Sequence, residues 1–148
     1  MTNKKYRLIW FQHFHKAAGT SIVDLARANN EIFWSNHENG NPRDSDGSFI
    51  ELWRYSQDEL KQFIDQCEEQ GVTFVASEWG LPDVNFIGQD DRVKLITCLR
   101  KPLDRFVSNF FYDLRYEYTQ AQRIEDYVDC YKEIHKGTYT MFNLSLIH

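Results

Sequence analysis

The sequence predicts an α/β fold, a mainly parallel sheet flanked by helices, within a single domain spanning residues 1–148. Three observations carry the prediction. Short runs rich in β-branched and aromatic residues ("YRLIWFQHF", "VTFVAS", "RVKLITCLR") alternate with segments whose apolar residues recur at helical spacing. Those runs alternate only loosely between apolar and polar, as strands covered on both faces do. A chain of 148 residues with 42% hydrophobic and 16% aromatic content can also bury a substantial core.

Taken in order, Tyr6 to Phe14 reads as the first strand. From Thr20 the spacing of Ile22, Leu25 and Ala26 is helical, and Asn29 and Asn30 end that helix with residues that tolerate turns. The stretch "SNHENGNPRDSDGS" (35–48) is dense in Asn, Asp, Gly and Ser and is expected to be a surface loop. Ser56 and Glu59 form a capping box, Leu60, Phe63, Ile64 and Cys67 the buried stripe of the helix it opens, and Gly71 its stop. Residues 72–77 and 92–100 are the second and third strands. After Pro102, Leu103, Phe106, Val107, Phe110, Phe111, Leu114 and Tyr118 repeat as a helix, with Arg105, Ser108, Tyr112 and Arg115 on its polar side. Ile124, Tyr127, Val128 and Tyr131 mark a further helix before Gly137. No internal repeat, linker or low-complexity segment interrupts the pattern.

A net charge of −5 argues against a protein that coats nucleic acid or acidic membrane through its overall field. Cys67, Cys98 and Cys130 have no metal-ligand spacing and sit in apolar contexts, as reduced core thiols do. The first residues lack a signal peptide's apolar run, and nothing approaches the ~20 apolar residues of a membrane span. The sequence is therefore expected to be cytoplasmic.

Chemistry concentrates where strands turn into helices. In "HKAAGTS" (15–21) Lys16 precedes Gly19, and Thr20 and Ser21 open a helix whose N–H groups and dipole would favour a phosphate. In "RKPLDRFVSNFF" (100–111) Arg100 follows a buried strand, and Arg105 and Ser108 flank the next helix. A tight turn with an exposed lysine, and surface arginines paired with Asp104 and Asp113, are the plain alternatives.

Together the two stretches resemble the PAPS-dependent sulfotransferases, in particular the branch with the heparan sulfate 2-O- and 6-O-sulfotransferases. That family carries a PKTGGTS-type turn for the 5′-phosphosulfate of PAPS (adenosine 3′-phosphate 5′-phosphosulfate) and a later RDPxxRxxSxY element for the 3′-phosphate. Lys16, Gly19, Thr20 and Ser21 match the first; Arg100, Pro102, Arg105 and Ser108 match the second. His15, Ala17 and Ala18 stand where Pro, Thr and Gly are usual, with Lys101 for Asp and Phe110 for Tyr. Ala18 is the sharpest departure, since glycine lets backbone approach a phosphate.

The resemblance implies a P-loop-NTPase-like three-layer fold and, without any metal, transfer of a sulfuryl group from PAPS to a hydroxyl of a small alcohol, lipid or glycan. It implies that Lys16 neutralises the leaving oxygen, that residues 15–21 hold the 5′-phosphate, and that Arg100 and Ser108 hold the 3′-phosphate. Glu78, in "ASEWGLP" directly after the second strand, stands where the family places its base, with Trp79 beside it to exclude water and raise its pKa. His13 and His15 are the reserve. Against family domains the chain is short beyond "TYTMFNLSLI", which implies a truncated form, a minimal enzyme or completion by a partner subunit, and self-association is expected. Two rivals stand beside this reading: a small Mg²⁺-dependent kinase or nucleotidase, and a non-catalytic binding relative.

Overall fold

In the computed structural model, which describes residues 5–128, the elements are β1 (Leu8–Gln12), α1 (Gly19–Ala28), β2 (His37–Glu38), β3 (Asn41–Pro42), a 3-10 turn (Leu52–Arg54), α2 (Gln57–Glu69), β4 (Phe74–Ser77), α3 (Val84–Gln89), β5 (Val93–Thr97) and α4 (Pro102–Arg115). The chain divides into two compact units, residues 1–98 and 99–148.

In the first unit β1 is the middle strand of a three-stranded sheet in the order β4-β1-β5, parallel throughout. Parallel neighbours need crossovers, and the helices that supply them cover both faces. Leu8 and Trp10 of β1 join Val75, Leu60, Phe63, Ile64 and Ile87 in one core. Phe11, with Ile9 packed alongside, joins Val23, Ala26, Phe74 and Ala76 in the other. Burial on both faces is why β1 reads as an apolar run, and each side chain so buried contributes roughly 1.5–3 kcal/mol.

Local signals place the helices. Ser56 and Glu59 close the expected capping box on α2. At its other end the Val72 N–H donates to Cys67 O (2.8 Å) and the Gly71 N–H to Glu68 O (3.1 Å), a Schellman motif whose apolar ends join the core. In α1 the buried residues are Gly19, Val23 and Ala26, whereas Leu25, expected inside, is 58% exposed. The six residues of α3, too few to show a period, were not anticipated; the Asp83 carboxylate caps them by accepting from the Phe86 N–H at 3.0 Å.

The expected surface loop at 35–48 is partly buried. Asn39 (φ 48) and Gly40 (φ 83) form a tight turn between antiparallel β2 and β3, and Gly40, Asn41 and Pro42 are buried. A Cβ on Gly40 would lie 3.0 Å from Ala76 Cβ and 3.2 Å from Phe74 Cε1, so only glycine lets the turn seat against β4.

In the second unit α4 packs Phe110, with Phe106 and Leu114 alongside, against Ala121 and Tyr127. Leu103, Phe111 and Tyr118, expected in the buried stripe, are 68%, 61% and 64% exposed. Asp113 accepts from the Tyr127 hydroxyl and, at 3.1 Å, from Asn109 Nδ2. Residues 124–128 are helical, and the expected continuation to Tyr131, with Cys130 and "TYTMFNLSLI", lies outside the described residues.

Candidate functional site

The carboxyl ends of all three strands are tied together. Gln12 Nε2 donates to Ser77 O (2.9 Å) and Gly80 O (3.2 Å), and Thr97 Oγ1 donates to Gln12 O (2.8 Å). Strand ends of a parallel sheet are where α/β proteins gather ligands, because the connections into helices open there.

Beyond β1 the chain crosses the sheet end in a tight loop before α1. Ala17 N–H donates to Phe14 O (3.0 Å), and Lys16 (φ 61) and Ala18 (φ 64) both take left-handed backbone conformations. For residues with a Cβ each such conformation is costly, and pairs of them recur at binding loops. Ala18 is the N-cap of α1; it offers no side-chain cap, and the first turn holds no acidic residue. The amides of Gly19, Thr20 and Ser21 thus begin the helix at the positive end of its dipole without a side-chain acceptor.

His13 explains Gly19. Its imidazole stacks on the Phe11 ring (centroids 5.4 Å apart, 17° between planes) and lies directly on the Gly19 Cα, where a Cβ would come within 2.0 Å of Cε1 and Nε2. Gly19 is needed for this close approach.

The structure brings His13, His15 and Glu78 together. His15 Nδ1 lies 2.9 Å from Glu78 Oε1, and His13 Nδ1 lies 3.3 Å from Glu78 Oε2, so one carboxylate from the end of β4 spans two imidazoles from the end of β1. The His13 side chain is buried, those of Glu78 and His15 are part-buried at 11% and 31% exposed, and the Trp79 ring lies 6.5 Å from that of His15. The raised pKa expected for Glu78 is not what this geometry produces. Burial pushes it up, but hydrogen bonds from His13 and His15 outweigh burial and hold it at about 2. Glu78 is therefore a stable carboxylate, suited to orienting an imidazole.

Asn41 completes the cluster: its Oδ1 accepts from the Glu78 N–H at 2.8 Å. The sequence reading passed over it, although Asn39-Gly40 is a strong hairpin signal and would have placed Asn41 beside a sheet edge. Arg100 and Ser108 belong to the second unit, Arg100 exposed before α4 and Ser108 half-buried within it. Among the described residues no group of His, Cys, Asp and Glu could hold a metal ion, and no helix is long and apolar enough to cross a membrane.

No family model matches the chain, and neither a curated protein nor a solved structure is similar enough to count as a match.

Proposed function

We propose that the chain is a PAPS-dependent sulfotransferase of P-loop-NTPase-like fold, transferring a sulfuryl group to the hydroxyl of a small alcohol, lipid or glycan. One observation carries this reading: a lysine-bearing loop with two left-handed residues leads into a helix start without a side-chain cap, and the same loop presents an imidazole held by a part-buried carboxylate. An anion-binding turn and a proton acceptor are the two parts that transfer to a hydroxyl requires.

In the in-line displacement the acceptor oxygen bonds to sulfur as the bond from sulfur to the bridging oxygen of the 5′-phosphate breaks. The electron pair departs on adenosine 3′,5′-diphosphate. Lys16 neutralises the bridging oxygen, and the backbone of Ala17, Ala18, Gly19, Thr20 and Ser21 cradles the 5′-phosphate. With His15 Nδ1–H donating to Glu78, Nε2 is the basic nitrogen of the neutral ring and takes the acceptor's proton. Glu78, too weak a base at a pKa of about 2, orients that ring and balances its charge after transfer. Arg100 and Ser108 hold the 3′-phosphate, an assignment resting on the sequence pattern. The free thiols of Cys67 and Cys98 suit the cytoplasmic location this reading carries.

Calorimetric titration with adenosine 3′,5′-diphosphate, AMP, and ATP with Mg²⁺ tests the proposal, together with transfer from labelled PAPS. Lys16→Ala should weaken binding of the diphosphate and of AMP. Arg100→Ala should cost the diphosphate about 1.5–3 kcal/mol and leave AMP unchanged. Glu78→Gln and His15→Gln should keep nucleotide affinity and lower transfer roughly 10²–10⁴-fold. Preference for ATP with Mg²⁺ would overturn the assignment in favour of a kinase, and diphosphate binding without transfer in favour of a binding module.

A further inference from the structure

The outer edge of β4 is satisfied in a regular order. Phe74 N–H donates to Ile32 O (3.0 Å), Ala76 N–H to Gly40 O (2.9 Å), and Glu78 N–H to Asn41 Oδ1 (2.8 Å). The first two acceptors are backbone carbonyls; the last is a side-chain amide standing in for one where strand pairing has run out. Asn41 is only 4% exposed, and its Nδ2 is turned to Glu38 O (3.1 Å) and Asn39 O (3.5 Å), which leaves Oδ1 facing β4. The hairpin beneath it is fixed by the two positive-φ residues of its turn and by Gly40 N–H donating to His37 Nδ1 at 3.2 Å.

We propose that Asn41 is a positioning residue for the site: by tethering the Glu78 N–H it sets where the Glu78 carboxylate meets His13 and His15. The inference rests on the proposed function for its catalytic meaning, whereas the tether itself is a matter of geometry. Glu78 follows the last residue of β4, beyond the ladder with β1, so the Asn41 amide is what holds its main chain at the outer edge. Without that acceptor a part-buried N–H loses its partner, and the end of the strand relaxes toward other acceptors. A carboxylate moved by as little as 1 Å gives up the imidazole geometry, and displacement of that size costs catalysis about 10²-fold.

Side-chain ¹⁵N NMR of the imidazoles at one neutral pH tests this without nucleotide or acceptor. In Asn41→Ala the His13 and His15 signals should move most of the way to those of Glu78→Gln. His37→Ala removes a hairpin hydrogen bond with no contact to Glu78 and should leave the signals in place. Wild-type signals in Asn41→Ala, or an equal response in His37→Ala, would each overturn the proposal. If wild type transfers no sulfuryl group the functional reading fails, and the imidazole signals still decide the role of Asn41.

Discussion

Gly19 and Ala18 are neighbours with opposite demands. A Cβ at Gly19 would overlap the His13 ring, at 2.0 Å from two of its atoms. Gly19→Ala should therefore destabilise the fold by roughly 1–3 kcal/mol as ring or helix is forced aside. Ala18 already carries a Cβ in a left-handed conformation (φ 64), which costs an L-residue roughly 1–2 kcal/mol. Glycine there relieves that strain and surrenders about 0.4–1 kcal/mol of unfolded-chain entropy, so Ala18→Gly should be stabilising by up to about 1 kcal/mol. Urea denaturation of the two variants checks both signs, and a shift in the same direction would refute the assignment of the two positions. The alanine thus persists where local stability favours glycine, in the loop that carries Lys16.

Among the elements, β1 and β4 are joined beyond their ladder by the Glu78 carboxylate, which reaches from one strand end to two histidines of the other. This gives the pair a defined response to acid. The folded pKa of Glu78, about 2, lies below its ordinary 4.5, so the fold favours the carboxylate. Its contribution to stability is complete above about 4.5 and is lost as pH falls from there through about 2. Thermal unfolding followed by circular dichroism should show the wild-type midpoint falling over that window. Glu78→Gln, with no proton to take up, should fall less. Equal slopes would show that the carboxylate does not couple the strands.

At the scale of the molecule, each unit leaves apolar side chains exposed. In the first, β5 pairs only with β1 among the described residues, and Leu95 and Ile96 are 39% and 40% exposed on it. In the second, Leu99, Leu103 and Phe111 are 78%, 68% and 61% exposed. A strand edge bearing such residues is a template for further pairing, and Lys94 is the one charge within β5 that opposes it. Sedimentation velocity should show concentration-dependent association, reduced by placing lysine at Leu95 and Ile96. A single monomeric species at every concentration would count against the expectation.

The sequence by itself determined what depends on near neighbours. The capping box at Ser56 and Glu59, the apolar run of β1, the stripe of α2 and the alternation of strand with helix all rest on spacing within a few residues, and all are present in the structure. It also marked Glu78, His13 and His15 separately as candidates. Tertiary structure decided how they relate. Only the parallel pairing of β1 with β4 brings positions 13, 15 and 78 onto one carboxylate, and only that meeting lowers the Glu78 pKa where burial beside Trp79 alone would raise it. The same holds for the buried Asn41, the exposed Leu25 and the Asp113–Tyr127 bond, since burial and hydrogen-bond partners belong to the packing of distant segments, and no local period encodes them.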